Sequence, residues 1–358
     1  MSSGDSGVIA KFADRLRNDV KIDAVHGSIS AAIVKNGRVI WAEAFGYAAR
    51  DKNISADTGT IYRIGSITKT FTATILMQLV EEGKVKLDES VEKYLLEIRS
   101  VKGYSTNTVI TLRQLASHTS GLNREPDLPG SYLGPVDQWE SKLLSCIPYT
   151  SFKSSPGTEY HYSNIGYALL GLTLERASGI VFIKLMQKKI FTPLHLDNTF
   201  FLVPQGKMAE LAGGFVNFRD DKSEEISTSA QSQQGVDSAL GGYIIPCGGI
   251  YSTARDLAKF SIALMGKTPL LDPGSLREMQ IPALGGRQYY GLGLMLGAYR
   301  KLGFIGHGGV IRGYNAQFSI EQNNVYAVVL LRNYNFGKTN LVVDSRKLLS
   351  KLSKLDKS

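Results

Sequence analysis

Apolar residues recur at helical spacing near the start of the chain (Ile9, Phe12, Ala13, Leu16, Val20), which predicts an amphipathic helix over 8–21. The period then changes. Residues 29–34 and 39–45 are apolar-rich runs joined by Asn36-Gly37, a pair that tolerates positive φ, and together predict a β-hairpin. Past a polar connection, Ile64-Gly65-Ser66 leads into a predicted helix over 67–82. Its stripe is Phe71, Ile75, Leu76, Leu79 and Val80, and Gly83 is a natural stop. From about 84 to 245, helical segments alternate with Gly- and Pro-bearing loops, most clearly at 112–116, 164–177 and 182–190. Residues 203–245, rich in Gly, Ser, Gln and Asp, read as a long irregular excursion. Strand-like runs return at 290–296, 304–307, 316–320 and 325–331, and a last helix is predicted over 338–354.

Strands near both ends with helices between them predict an α+β fold. An antiparallel sheet from residues 25–50 and 288–332 is expected, flanked by N- and C-terminal helices, with a mostly helical inserted lobe. The expected boundaries are 1–83 and 246–358 for the sheet domain and 84–245 for the lobe, with a site in the groove between them. A chain of 358 residues, 43% hydrophobic and 20% charged, can build a core large enough to bury such a site. No apolar run of about 18 residues occurs, so no membrane span is expected. The first 25 residues carry Asp5, Lys11, Asp14, Arg15, Arg17 and Asp19 without a signal-like apolar run. The expected location is cytoplasmic, or exported with the leader absent from this chain.

The net charge of +9 is scattered. Its one cluster, Arg346, Lys347, Lys351, Lys354 and Lys357, reads as a solvated helix face, so no nucleic-acid partner is expected. Cys146 and Cys247 lack C-x-x-C spacing and read as two small buried hydrophobes. The five histidines are far apart, no H-E-x-x-H occurs, and neither G-x-G-x-x-G nor a Walker loop is present. No metal site and no cofactor are expected.

Chemistry concentrates in three places. Ser66-Ile67-Thr68-Lys69 sets a hydroxyl at a predicted helix start and an amine three residues on, about one turn away on the same face. A serine hydroxyl is a weak nucleophile until a neighbouring base takes its proton, and the helix start offers N–H groups to an oxyanion. Ser90-Val91-Glu92-Lys93 repeats the spacing in a charged stretch, where Ser90 reads as a helix cap. Tyr162-Ser163-Asn164 follows a Ser-Pro-Gly-Thr turn and opens a helix; a phenol near cations can shuttle a proton, and an Asn amide can hold a carbonyl. Equally, the triplet reads as a cap beside a packed aromatic. His307-Gly308-Gly309 lies on a strand-like segment where two glycines permit close backbone approach, or simply a bend. Gly4-Asp5-Ser6-Gly7 sits at a chain end and is set aside; no G-x-S-x-G elbow exists.

The order and separation of these motifs resemble the serine β-lactamase and penicillin-binding-protein superfamily. The nearest branch holds class C β-lactamases, D,D-carboxypeptidases, D-aminopeptidases and family VIII carboxylesterases. The matching text runs through Tyr62–Lys69, Leu115–Leu122, Tyr162–Tyr167, Gly248–Leu257 and His307–Gly309. The resemblance implies Ser66 as nucleophile, Lys69 as its activator and Tyr162 as acid and base, with Asn164, His307, Gly308 and Gly309 binding substrate. It also implies an oxyanion hole from the backbone N–H groups of Ser66 and Val310, and a bracing role for His118. His307-Gly308-Gly309 stands where the resemblance implies Lys-Thr-Gly or His-x-Gly, so His307 is expected at the substrate edge of the cleft, its charge state sorting substrates. The implied function is hydrolysis of small ester, amide or peptide substrates through an acyl-enzyme, of the carboxylesterase or D-amino-acid peptidase/amidase type. A β-lactamase is the alternative. An inert binding or scaffold homologue is the alternative from another class.

Overall fold

The computed structural model describes residues 3–217, 223–226, 241–284 and 289–356. In chain order its elements are α1 (Ser3–Ile22), β1 (Ser28–Lys35), β2 (Arg38–Ala49), β3 (Ile54–Ser55), β4 (Tyr62–Arg63), α2 (Thr68–Glu81), α3 (Leu112–Ala116), α4 (Trp139–Cys146) and α5 (Asn164–Ser178). There follow α6 (Phe182–Met186), β5 (Gly214–Asn217), β6 (Ser223–Ile226), α7 (Ile245–Gly248), β7 (Tyr251–Ser252), α8 (Ala254–Leu264) and α9 (Pro273–Glu278). The chain closes with β8 (Met295–Tyr299), β9 (Leu302–Ile311), β10 (Tyr314–Glu321), β11 (Tyr326–Arg332) and α10 (Leu341–Leu355).

One seven-stranded antiparallel sheet runs in the order β3-β2-β1-β11-β10-β9-β8. The β1–β2 turn uses Asn36 and Gly37 at φ 49° and 75°, the pair of positive angles that a two-residue hairpin requires. Period-two alternation then divides the side chains between two cores. Ile29, Ala31 and Ile33 of β1, with Tyr326, Val328 and Leu330 of β11, meet Phe12 and Leu16 of α1 and Leu348 and Leu352 of α10. The intervening Ala32, Val34, Val329 and Leu331 face a larger core that includes α2, α5 and α8. Covered on both faces, β11 is buried at all seven positions. The chain therefore adopts the expected α+β architecture, a sheet flanked by its terminal helices.

Several local expectations change. The run 290–296 is not a strand: β8 begins at Met295, and Tyr290 only bridges back to it. Its alternating apolar residues are separated by Gly291 and Gly293. A Cβ at Gly291 would lie 2.1 Å from the Met279 carbonyl oxygen, and one at Gly293 would lie 2.5 Å from Ala73 Cβ. Tight packing of a turn produces the pattern. The helix predicted over 182–190 is α6 continued by one π-turn, Gln187–Phe191. Within 203–245 a 3₁₀ segment (Gln205–Glu210) and the β5–β6 hairpin appear, whereas 218–222 and 227–240 lie outside the described residues, as does 288. Lys347, Lys351 and Lys354 form an exposed face of α10, Arg346 packs 3.9 Å from the Phe304 ring centroid, and Lys357 lies outside the described residues. Cys146 and Cys247 are buried free thiols. Among the described residues no helix is long and apolar enough to cross a membrane.

The junction of α5 and α7 carries a test. A Cβ at Gly171 would sit 2.4 Å from Pro246 Cβ and Cγ, atoms of a rigid ring. Ala in place of an interior helical Gly ordinarily gains about 1 kcal/mol, but overpacking costs about 1–3 kcal/mol, so packing wins. Gly171→Ala is expected to lower the melting temperature; an increase would show that the two helices separate without cost.

Candidate active site

Ser66 lies in a 3₁₀ turn, Gly65–Ile67, that runs directly into α2, one residue short of the helix start that the pattern predicts. Gly65 adopts φ 51°, and the N–H groups of Ile67 and Thr68 are spent on the turn's own carbonyls. The Ser66 N–H thus remains the turn's candidate for an oxyanion. Ser66 itself is half-buried. Lys69, one turn on, has no exposed surface. Its Nζ donates to Ser66 Oγ (3.2 Å), Asn164 Oδ1 (2.6 Å) and the Cys247 carbonyl (2.9 Å). Three uncharged oxygens therefore satisfy the amine that burial strips of water.

Asn164 is the first residue of α5, whose N-cap, Ser163, accepts from the Gly166 N–H at 2.9 Å. With Oδ1 on Lys69, its amide Nδ2 donates to Glu125 Oε1 at 2.6 Å, which fixes the amide's orientation. Glu125 also accepts from the Tyr243 hydroxyl. Desolvation raises the Glu125 carboxyl above the ordinary glutamate range, against the opposing pull of Asn164, Arg124 and Lys69, although 46% of the side chain is exposed. Tyr162 is half-buried between cations: Lys69 Nζ and Arg124 Cζ each lie 4.9 Å from its ring centroid. Arg124, Glu125, Tyr243 and the Cys247 carbonyl carry no motif, and none was legible as a site residue. Ser90, by contrast, caps a 3₁₀ turn by accepting from the Glu92 N–H.

The third motif approaches from β9. Pairing with β8 stops at Gly306, so residues 307–311 present to the turn holding Ser66 a strand edge that no strand among the described residues pairs. A Cβ at Gly309 would fall 1.8 Å from the Ile64 carbonyl oxygen and 3.1 Å from Ser66 N, and one at Gly65 would fall 3.2 Å from Val310 N. Glycine at both positions lets the two backbones meet, which brings the Ser66 and Val310 amides to one place. Gly308 is half-exposed, and Val310 is 67% exposed.

His307 corrects the expectation. It is fully buried rather than at the substrate edge. Its Nδ1 lies 2.6 Å from the Gly308 carbonyl, which can only accept, so Nδ1 carries the proton and Nε2 accepts from the Tyr290 hydroxyl at 2.9 Å. Burial, then the charge of Lys69, pushes its pKa down to about 3. A ring held neutral beneath the surface offers a substrate no cation.

Comparison with known proteins shows the family and the fold. The family model described as Beta-lactamase matches residues 12–352. Beta-lactamase-like proteins 4 and 2 of Dictyostelium discoideum are 30% identical over 287 residues and 33% identical over 270. These matches cover 75% and 71% of this chain but 48% and 45% of the relatives, so the chain spans about half the length of the curated relatives it matches. The octameric penicillin-binding protein homologue from Pyrococcus abyssi superposes with a TM-score of 0.77 at 23% identity, over 98% of this chain and 77% of that one. A class C β-lactamase gives 0.76 at 21%, covering 96% of each chain. A D-stereospecific amidohydrolase from Streptomyces sp. gives 0.72 at 24%, over 94% and 97%. At such identities the structures speak for the fold.

The buried histidines make a prediction about acid. Unfolded histidine titrates near 6.5. His307 is lowered to about 3 and His118 well below its ordinary value, both chiefly by burial. The unfolded chain thus binds protons that the folded chain refuses, and stability present above about 6.5 is lost as pH falls toward 3. The raised Glu125 works in the opposite sense. Between pH 7 and 5, above the ordinary carboxylate range, the melting temperature is expected to fall, and less steeply in His307→Asn. A flat profile in that window contradicts the assignment.

Proposed function

The chain belongs to the β-lactamase family, and from that premise we propose that it is a serine hydrolase that forms an acyl-enzyme on Ser66. The observation that carries this reading is the buried Lys69 amine, 3.2 Å from Ser66 Oγ and 4.9 Å from the Tyr162 ring centroid. Ser66 Oγ attacks the substrate carbonyl carbon, and its proton passes to the Lys69–Tyr162 pair. The carbonyl oxygen, now negative, takes hydrogen bonds from the Ser66 and Val310 N–H groups. Tyr162 returns the proton to the leaving group, and water then repeats the sequence on the acyl-enzyme. Asn164, Gly308 and Gly309 line the substrate's path. The division of the chain at 83/84 and 245/246 into a sheet domain and a helical lobe belongs to the same proposal.

Substrate preference is read from charge. With His307 buried and neutral, the third motif supplies no partner for a free carboxylate. The Glu125 carboxylate on Asn164 suits an acyl group that is uncharged or bears an amine. Small esters, and amides or peptides of the D-amino-acid type, are the proposed substrates. One observation favours a β-lactamase instead. Arg124 lies on the Tyr162 ring and its ion pair with Glu125, at 3.4 Å with 64% and 46% of the side chains exposed, is worth at most about 1 kcal/mol. Its guanidinium is available to a penicillin carboxylate.

Two outcomes test the proposal. Tyr162→Phe is expected to keep the fold and lower kcat on a p-nitrophenyl ester by about 100-fold or more, and Lys69→Ala by at least as much. Wild-type kcat in Tyr162→Phe would reduce the ring to packing. In a panel of p-nitrophenyl esters, D-amino-acid amides and nitrocefin, kcat/KM is expected to be highest for an ester or amide. A strong preference for nitrocefin establishes the β-lactamase reading, and no turnover of any member leaves an inert binding homologue.

A further inference from the structure

We infer that His118 is a positioning residue that sets Tyr162 against Lys69. The inference rests on the proposed role of Tyr162 and goes beyond the bracing role that the resemblance implies. His118 lies two residues past the end of α3 and 44 positions before Tyr162 in sequence (162 − 118). Its carbonyl accepts from the His161 N–H at 2.8 Å, and its Nδ1 accepts from the Ser163 N–H at 3.0 Å. The two residues that flank Tyr162 are thus both tied to one histidine. The His118 ring lies against the Tyr162 ring itself, with centroids 4.1 Å apart and planes inclined by 33°. Backbone on each side and ring face are all defined by the same residue.

Three further features mark His118 as selected for this position rather than tolerated there. It adopts φ 61°, in the left-handed region that costs most side chains about 1 kcal/mol or more. It has no exposed surface, and the rings of Tyr160, Tyr167 and Tyr290 pack near its own at centroid distances of 5.7, 5.0 and 4.7 Å. Finally, Nδ1 acts as an acceptor, so the neutral ring carries its proton on Nε2, which makes no hydrogen bond among the described residues. A packing residue would leave no reason for a buried polar atom without a partner. An imidazole whose Nδ1 is needed as an acceptor explains it. Burial first, then the charges of Lys69 and Arg124, keeps protons off the ring, so the acceptor persists across the neutral range.

A double-mutant cycle on p-nitrophenyl acetate tests this. His118→Gly keeps the left-handed backbone while removing the acceptor and the ring; His118→Asn tolerates the same φ and restores a side-chain acceptor. We expect His118→Gly to lower kcat by about tenfold or more with KM within about twofold, as for a misplaced catalytic group. We expect His118→Asn to recover part of the loss. In a Tyr162→Phe background, where there is no phenol left to place, His118→Gly should lower kcat no further, although its melting temperature still falls. A full additional loss in that background, or unchanged kcat in His118→Gly, overturns the inference. Should His118→Gly not fold, His118→Asn in both backgrounds gives the same cycle with a smaller amplitude. If Tyr162→Phe alone retains wild-type kcat, the proposed function fails first, and the inference with it.

Discussion

A lysine amine with no exposed surface, met by three uncharged oxygens, is the constraint from which the rest of the site follows. Burying that group without partners would cost several kcal/mol, so each acceptor must be held in place. Ser66 Oγ is held by the turn before α2, Asn164 Oδ1 by the capped start of α5, and the Cys247 carbonyl by α7. Three segments separated by about 80 to 180 residues therefore converge on one nitrogen, in the larger of the two cores. Satisfying Lys69 and assembling the site are the same act of folding.

The sheet contributes the opposing wall. Its strand β9 outruns β8 after Gly306, and the edge left unpaired among the described residues is what a substrate, or the turn at Gly65, can approach. Glycine at 65 and 309 removes the Cβ atoms that would hold the two backbones apart. Beneath this edge, His307, Tyr290, Tyr167 and His118 form a buried layer of polar aromatics. There, hydrogen-bond direction fixes each tautomer and desolvation keeps both histidines neutral. Histidine at 307 thus leaves the layer without charge and places none at the surface.

Local pattern made most of this legible. Hydrophobic period and turn chemistry placed α1, α2, α5, the β1–β2 hairpin and β9 to β11, because amphipathic stripes and Asn-Gly turns are short-range signals. Ser66 and Lys69 share a helical turn, and Asn164 starts a helix, so their spacing was readable too. The partners were not. Glu125 sits in a loop between charged and proline residues, and the Cys247 oxygen is backbone, which has no side-chain signature. His118 was visible in its Ser-His-Thr-Ser-Gly-Leu motif, but its bonds to 161 and 163 close a long loop that no window spans. The strand expected at 290–296 failed for the same reason: Gly291 and Gly293 answer to Met279 and Ala73, contacts made in three dimensions.

The central claim is that Ser66 is the group that becomes acylated. It is tested most directly by treating the protein with a fluorophosphonate, then measuring intact mass and mapping the modified peptide. The account predicts one added phosphonyl group per chain on the peptide containing Ser66, and none in Ser66→Ala. Mass mapped to Ser90 or Ser6, or no addition to the wild-type protein, would contradict it.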